Sequence, residues 1–335
     1  MPFRDGAALR ETYRRAQAGH FAFMANNIAE PNVLIGLLKA YAEADSDLLV
    51  QISAGAAKFA GGGDKRSGLR SLSSMVRELA ESYPIQVFVN LDHFTVREMD
   101  LIEEAIADRL VSSIMIDAST EAFEENVRIS RHVAEMAQGT GILVEAELGM
   151  IKGVEDEISS DEALYTDPDE AVEFVQRAGA DLLAISVGTQ HGVSKGRDLE
   201  LRVDLTAKIR DRLAEENLNP PLVLHGTSGV LPEQIREMIG HGICKLNKDT
   251  HYQYVYGRTA CEFFMKSKNG IIPPADVEDD IANLFASGDW SPNKGMFDPR
   301  VVGTEIQKRV RDIAYALIEQ AGSAGKTLME REGTP

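Results

Sequence analysis

Eight short apolar runs, each breaking off in polar or glycine residues, punctuate the 335-residue chain and constrain its fold more than any other feature. They are FAFMANN from Phe21, DLLVQIS from Asp47, IQVFVNLDH from Ile85, SSIMIDAS from Ser112, GILVEAELG from Gly141, DLLAISVG from Asp181, PLVLHGTSG from Pro221 and ICKLNKDT from Ile243. Near-continuous apolar runs of this length suit strands covered on both faces. The segments between them, such as Val33 to Ala44, Gly68 to Tyr83, Val96 to Asp108 and Phe123 to Met136, read as amphipathic helices. Strands alternating with helices imply a parallel α/β sheet, because parallel neighbours need a crossover between them. The count of eight favours closure into a (β/α)8 TIM barrel over an open doubly wound sheet, and no GxGxxG follows the first run.

Beyond the eighth run a helix is expected from Tyr252 to Lys266, then a Pro/Gly/Asp-rich stretch from Asn269 to Met296. Asp298 and Pro299 read as the N-cap and first-turn proline of a closing helix. Val302, Ile306, Val310, Ile313 and Leu317 give that helix a packing face. The expectation is one domain, with a barrel core over about 18–268 and a C-terminal helical extension over about 269–325.

The formal charge of −18 excludes nucleic acid and anionic membrane as partners, since both need a positive surface. The opening segment MPFRDGAALRETYRRAQ has no apolar signal region, and no stretch approaches the roughly 18 uncharged apolar residues of a membrane span. A soluble, cytoplasmic protein is expected. Cys244 and Cys261 have neither disulfide nor zinc spacing and read as small buried hydrophobes.

Barrel chemistry collects at the C-terminal ends of the strands, and here those ends are polar. Run three ends in Asp92 and His93, run four in Asp117, run five in Glu145 and Glu147, and run eight in Asn247, Asp249 and Thr250. His93, His191 and His225 fall at or just past the ends of runs three, six and seven, which makes a plausible three-imidazole zinc site with a fourth position open to substrate. His20, His132, His241 and His251 read as surface or packing residues, with His251 close behind the last strand. On the last two runs, Gly226-Thr227-Ser228-Gly229 and Asn247-Lys248-Asp249-Thr250 occupy the usual phosphate-binding position of a barrel. The polar loop from Gly149 to Tyr165 follows a strand end, and Glu155 or Asp156 within it is a candidate proton carrier.

In order and spacing, LDH at 91–93, SSIMID at 112–117, VEAELG at 144–149 with the following GVED, VGTQHGVSKG at 187–196, LVLHGTSG at 222–229, LNKDT at 246–250 and NKGMFDPRV at 293–301 resemble the class II fructose-bisphosphate aldolase family. The resemblance implies zinc-dependent, reversible cleavage of fructose 1,6-bisphosphate to dihydroxyacetone phosphate and glyceraldehyde 3-phosphate through a metal-stabilised enediolate. It implies that His93, His191 and His225 bind the catalytic zinc, that Asp92 handles the C4 hydroxyl proton, and that Glu155 exchanges the C3 proton. Asp117 and Glu147 then resemble ligands of a second divalent ion. Gly192, Gly226, Ser228, Asp249 and Thr250 resemble the pocket for the dihydroxyacetone phosphate, beside which a monovalent cation is possible, and Asn247 resembles the residue that steadies the enediolate. Arg300, in DPR, and Ser53 match positions that hold the far phosphate, which favours fructose 1,6-bisphosphate over the tagatose isomer. The family is commonly a homodimer or higher homo-oligomer.

One departure stands out. Met24 occupies a position where the family usually carries asparagine, and a thioether cannot donate a hydrogen bond. Two rival chemistries remain: a zinc hydrolase, against which FAFMANN lacks an HxH pair, and a Schiff-base aldolase using Lys245, which shares strand parity with Asn247. A non-catalytic binding or scaffold protein would have no need of so many polar strand ends.

Overall fold

In the computed structural model, described over residues 3–151, 164–192 and 201–329 and over the backbone of 153–155 and 158–160, eight parallel strands close into a barrel. The strands in chain order are β1 (Phe23–Asn27), β2 (Leu48–Ser53), β3 (Val87–Phe94), β4 (Ser113–Ile116), β5 (Leu143–Leu148), β6 (Gly153–Glu155), β7 (Ile158–Ser160), β8 (Leu182–Ile185), β9 (Leu222–Leu224) and β10 (Ile243–Lys248). The closed order is β1-β10-β9-β8-β5-β4-β3-β2, while β6 and β7 form a separate antiparallel hairpin in the loop after β5. Each expected apolar run supplies one barrel strand.

The helices are α1 (Gly6–Gly19), α2 (Pro31–Glu43), α3 (Ala54–Ala60), α4 (Lys65–Ala80), α5 (Met99–Ala107), α6 (Phe123–Ala137), α7 (Pro168–Ala178), α8 (Val203–Glu215), α9 (Pro232–Gly240), α10 (Thr250–Ser267), α11 (Lys294–Phe297) and α12 (Pro299–Ala321). Their starts follow capping chemistry. Glu30 accepts from the Asn32 and Val33 amides ahead of Pro31, Asp167 from Asp169 and Glu170 ahead of Pro168, and Asp298 from Arg300 ahead of Pro299.

Two buried layers follow from strand parity. Outward residues, among them Met24, Val50, Leu91 and Leu246, pack under the helical ring. Inward residues Phe23, Ala25, Leu49, Phe88, Leu143, Ala184 and Val223 form a second cluster with Leu9, Tyr13 and Ala16 of α1. Thus α1 plugs the N-terminal end of the barrel, a role that periodicity in the strands does not reveal. Helix α12 lies against α2 so closely that a Cβ on Gly36 would stand 2.8 Å from the Val310 side chain, so glycine is what permits the approach.

Several expectations need correction. Helices α1 and α3 were not legible as elements, and the helix expected from Val96 opens with a 3-10 turn, Val96–Glu98, before α5. On α12, Ile313 is half-buried and Ala314 takes the core position. Cys244 is buried as expected, but Cys261 is exposed on the outer face of α10. Met24 is fully buried under the helices, with Asn26 beside it bonded to Tyr41 and Tyr252. Both face away from the barrel interior, so Met24 takes no part in the mouth of the barrel.

Candidate active site

At the C-terminal mouth, strands β1, β2 and β10 send three amides to one carboxylate. Asp92 accepts from Asn27 Nδ2 at 2.7 Å, Gln51 Nε2 at 2.8 Å and Asn247 Nδ2 at 3.0 Å. Three donors aimed at a buried carboxylate favour its ionised form. Asn27 and Gln51 were missed as partners of Asp92, although Gln51 interrupts an apolar run at the same parity as Ser53, which a period-two reading marks as inward.

Next to Asp92, His93 and His225 come together from positions 132 residues apart, with His93 Nε2 2.9 Å from His225 Nδ1. The far nitrogen of each ring meets a carboxylate. His93 Nδ1 lies 2.7 Å from Asp117 Oδ2, and His225 Nε2 lies 2.8 Å from Glu145 Oε1. An ionised carboxylate only accepts, so the ring protons are assigned to those far nitrogens and the lone pairs face each other. The His191 ring stands beside them, its centroid 5.1 Å from that of His93 and 6.4 Å from that of His225, but it is not among the residues whose ligand atoms cluster within 4.8 Å.

Electrostatics point the same way. Burial would raise the Asp117 carboxyl, but His93 and Ser119 hold it well below the usual carboxylate range. Burial would likewise raise Glu145, yet Lys245 and His225 bring it down to about 2. Burial lowers the His225 imidazole to about 4, against the pull of Glu145, so the ring is neutral near pH 7. Asp92, Asp117, Glu145 and Glu147 are all buried, and Lys245 balances Glu145 at 2.6 Å. Facing lone pairs and buried carboxylates are a donor set that a divalent cation satisfies. Asp92, His93 and His225 form one cluster with ligand atoms within 4.8 Å of one another, and His93, Asp117 and Glu147 form another.

The remaining site residues divide into two places. The loop after β9 packs on the end of β10: the Thr227 hydroxyl donates to the Asn247 carbonyl, and Lys248 Nζ donates to the Thr227 carbonyl at 2.8 Å. Gly226, at φ 60°, is pressed against the loop after β8, where a Cβ would stand 2.6 Å from the Gln190 carbonyl. Gly192 and Ser228 are half-buried here, Asp249 accepts from Gln253, and Thr250 opens α10. Ser53 caps α3 and borders a cavity of about 400 Å³ lined also by Asn27, Glu30, Phe59, Asp249 and Tyr256. Arg300 is not in that lining; it is exposed and paired with Asp298 at 2.5 Å.

Glu155 ends strand β6 by its backbone, and its side chain lies outside the described residues, as does Asp156 altogether. Lys245 is fully buried and clamped to Glu145 two residues deeper than Asn247, which removes the footing of a Schiff-base mechanism.

The sequence profile described as "Fructose-bisphosphate aldolase class-II" matches residues 7–326. This chain belongs to that family. The aldolase is 35% identical to a fructose-bisphosphate aldolase of Geobacillus stearothermophilus over 78% of this chain and 87% of that one. It is 31% identical to one of Streptomyces galbus over 98% and 100%. The solved fructose-bisphosphate aldolase of Campylobacter jejuni superposes with a TM-score of 0.81 at 27% identity, covering 97% of both chains. The aldolase is therefore a lyase of a generally metal-dependent family, with a sugar phosphate as its class of substrate. Among its described residues no helix is long and apolar enough to cross a membrane.

Proposed function

We propose that this aldolase carries out zinc-dependent, reversible cleavage of fructose 1,6-bisphosphate to dihydroxyacetone phosphate and glyceraldehyde 3-phosphate, as in glycolysis and gluconeogenesis. The observation that carries the reading is the pair of carboxylate-backed imidazole nitrogens beside an aspartate held by three amides. His93, His191 and His225 would hold the ion, and a nitrogen-rich set with one open position suits zinc. When bound, the metal supplies Lewis-acid stabilisation of the negative charge left on the ketone half as the C3–C4 bond breaks.

The chain's own groups do the rest. Asp92 takes the C4 hydroxyl proton, Asn247 donates toward the developing oxyanion, and Glu155 returns a proton to C3. Gly192, Gly226, Thr227, Ser228, Asp249 and Thr250 cradle the phosphate of the ketone half, in the loops that the structure packs together. Asp117 and Glu147 with His93 suit a second divalent ion, and a monovalent cation beside the phosphate follows the family. A homodimer or higher homo-oligomer and a cytoplasmic location are part of the same reading.

The sugar admits a second reading. The cavity beside Ser53 is lined by Glu30, Phe59, Tyr252 and Tyr256, with no lysine or arginine among its described lining, which favours a ketose phosphate with an uncharged far end. Assaying fructose 1,6-bisphosphate against fructose 1-phosphate, in the wild type and in Arg300→Ala, separates the two. A selective loss of the bisphosphate in the variant supports the first reading. The metal reading is tested by cleavage with and without chelator and after borohydride: activity that survives full metal removal, or that borohydride traps, overturns it.

A further inference from the structure

The loop after β9 is backed by a buried cation that has no matching anion among the described residues. Strand β10 sends Lys245 and Asn247 into the barrel, and Lys248, of opposite parity, pairs in register with the outward Asn26. Its side chain is 6% exposed, and its ammonium donates to the Thr227 carbonyl at 2.8 Å. Among the described residues no carboxylate forms an ion pair with it. Lys245, three residues earlier and also buried, does have one in Glu145. A buried ammonium is costly unless an anion or strong acceptors balance it. The chain has 53 acidic residues against 35 basic ones, so a counter-ion was not scarce, yet none among the described residues pairs with Lys248.

We propose that Lys248 is a built-in cation of the phosphate loop, whose counter-ion is the substrate's own phosphate. The inference rests on reading Gly226–Gly229 as a phosphate site. Lys248 does not touch that phosphate. It shares the Thr227 carbonyl with the Val230 amide, which ties down the turn over 227–230 from behind, and it adds a fixed positive charge beside that turn. This makes it a positioning residue, and it accounts for how a chain of net charge −18 keeps a local attraction for an anion. Burial lowers the Lys248 ammonium to about 8, so the charge is present at neutral pH and gains further when an anion binds beside it.

The test compares wild type, K248M and K248Q, with S228A as a reference for the loop itself, all as metal-loaded full-length enzyme. K248Q keeps a donor for the Thr227 carbonyl and removes the charge, and it serves should K248M fail to fold. The probe is inorganic phosphate as a competitive inhibitor. Loss of the charge is expected to raise its Ki, and the KM of the phosphorylated substrate, by about 10-fold or more while kcat falls less than about 3-fold. A residue that merely supported the fold would lower the melting temperature and leave this KM-against-kcat split absent. Unchanged Ki and KM in a folded K248Q, with S228A weakened, overturns the role of Lys248 alone. Unchanged values in both variants overturn the phosphate-loop reading with it.

Discussion

Asp92 and His93 are consecutive on one strand, yet both side chains enter the same cluster at the barrel mouth. Alternation along a strand would put them on opposite faces. The backbone resolves the conflict at His93, which sits at φ 49°, and the β3–β4 pairing shifts register between Leu91 and Phe94. A non-glycine residue in that region is held there by its surroundings, here the Asp117 and His225 contacts of the ring.

Because Asp92 is an acceptor for three amides, Asp92→Asn turns a donor toward donors and removes the base. We expect kcat to fall by about 10² to 10⁴ with metal content unchanged. Steady-state kinetics beside elemental analysis of the same sample checks this, and a kcat within tenfold of wild type would move the proton-transfer role elsewhere.

Glu145 fixes which nitrogen of His225 carries the proton. Glu145→Gln relaxes that choice and is expected to weaken divalent-metal affinity by about 10- to 100-fold. Competition against a chelator of known affinity reads the effect directly. Activity should return at saturating metal, and an unaltered metal affinity would show that the ring is oriented instead by packing and by the Asn247 amide, which lies 2.8 Å from its Nδ1.

The plug made by α1 affects stability without touching the mouth. Leu9 is 1% exposed against the floor of the barrel, so Leu9→Ala should cost about 2–5 kcal/mol. Urea unfolding gives the value, and kinetics below the melting range should be unchanged. A loss under 1 kcal/mol would mean that α1 is not part of the cooperative core.

Lys248 gives opposite signs for binding and stability above neutral pH. Its folded pKa, near 8, lies below the unfolded lysine value of about 10.4, so between these limits the unfolded chain holds a proton that the folded chain lacks. Its contribution to stability therefore rises with pH from about 8 to 10.4, while phosphate affinity falls over the same range. The titratable neighbour that senses it is His251 on α10, whose imidazole is lowered by burial and by Lys248 itself, while the Asp249 carboxylate is turned to Gln253. The difference between wild type and K248M, in melting temperature and in phosphate Ki across pH 7–10, isolates the lysine. Parallel profiles would remove it as the titrating group.

The eight runs and their helical separators encode the barrel, because periodicity of 2 and 3.6 is a local property written directly into the order of residues. The same holds for the helix start at Asp298-Pro299. Polar strand ends likewise marked Asp92, His93, His225 and Asn247 as site candidates. Only the closed barrel decided which of them meet. That Gln51 and Asn27 hold Asp92, that Glu145 serves His225 and Lys245 at once, and that Lys248 turns behind the phosphate loop all depend on strand register around the closure. Such contacts join residues from 21 to 100 positions apart, and no local pattern encodes distances set by the closing of a sheet on itself.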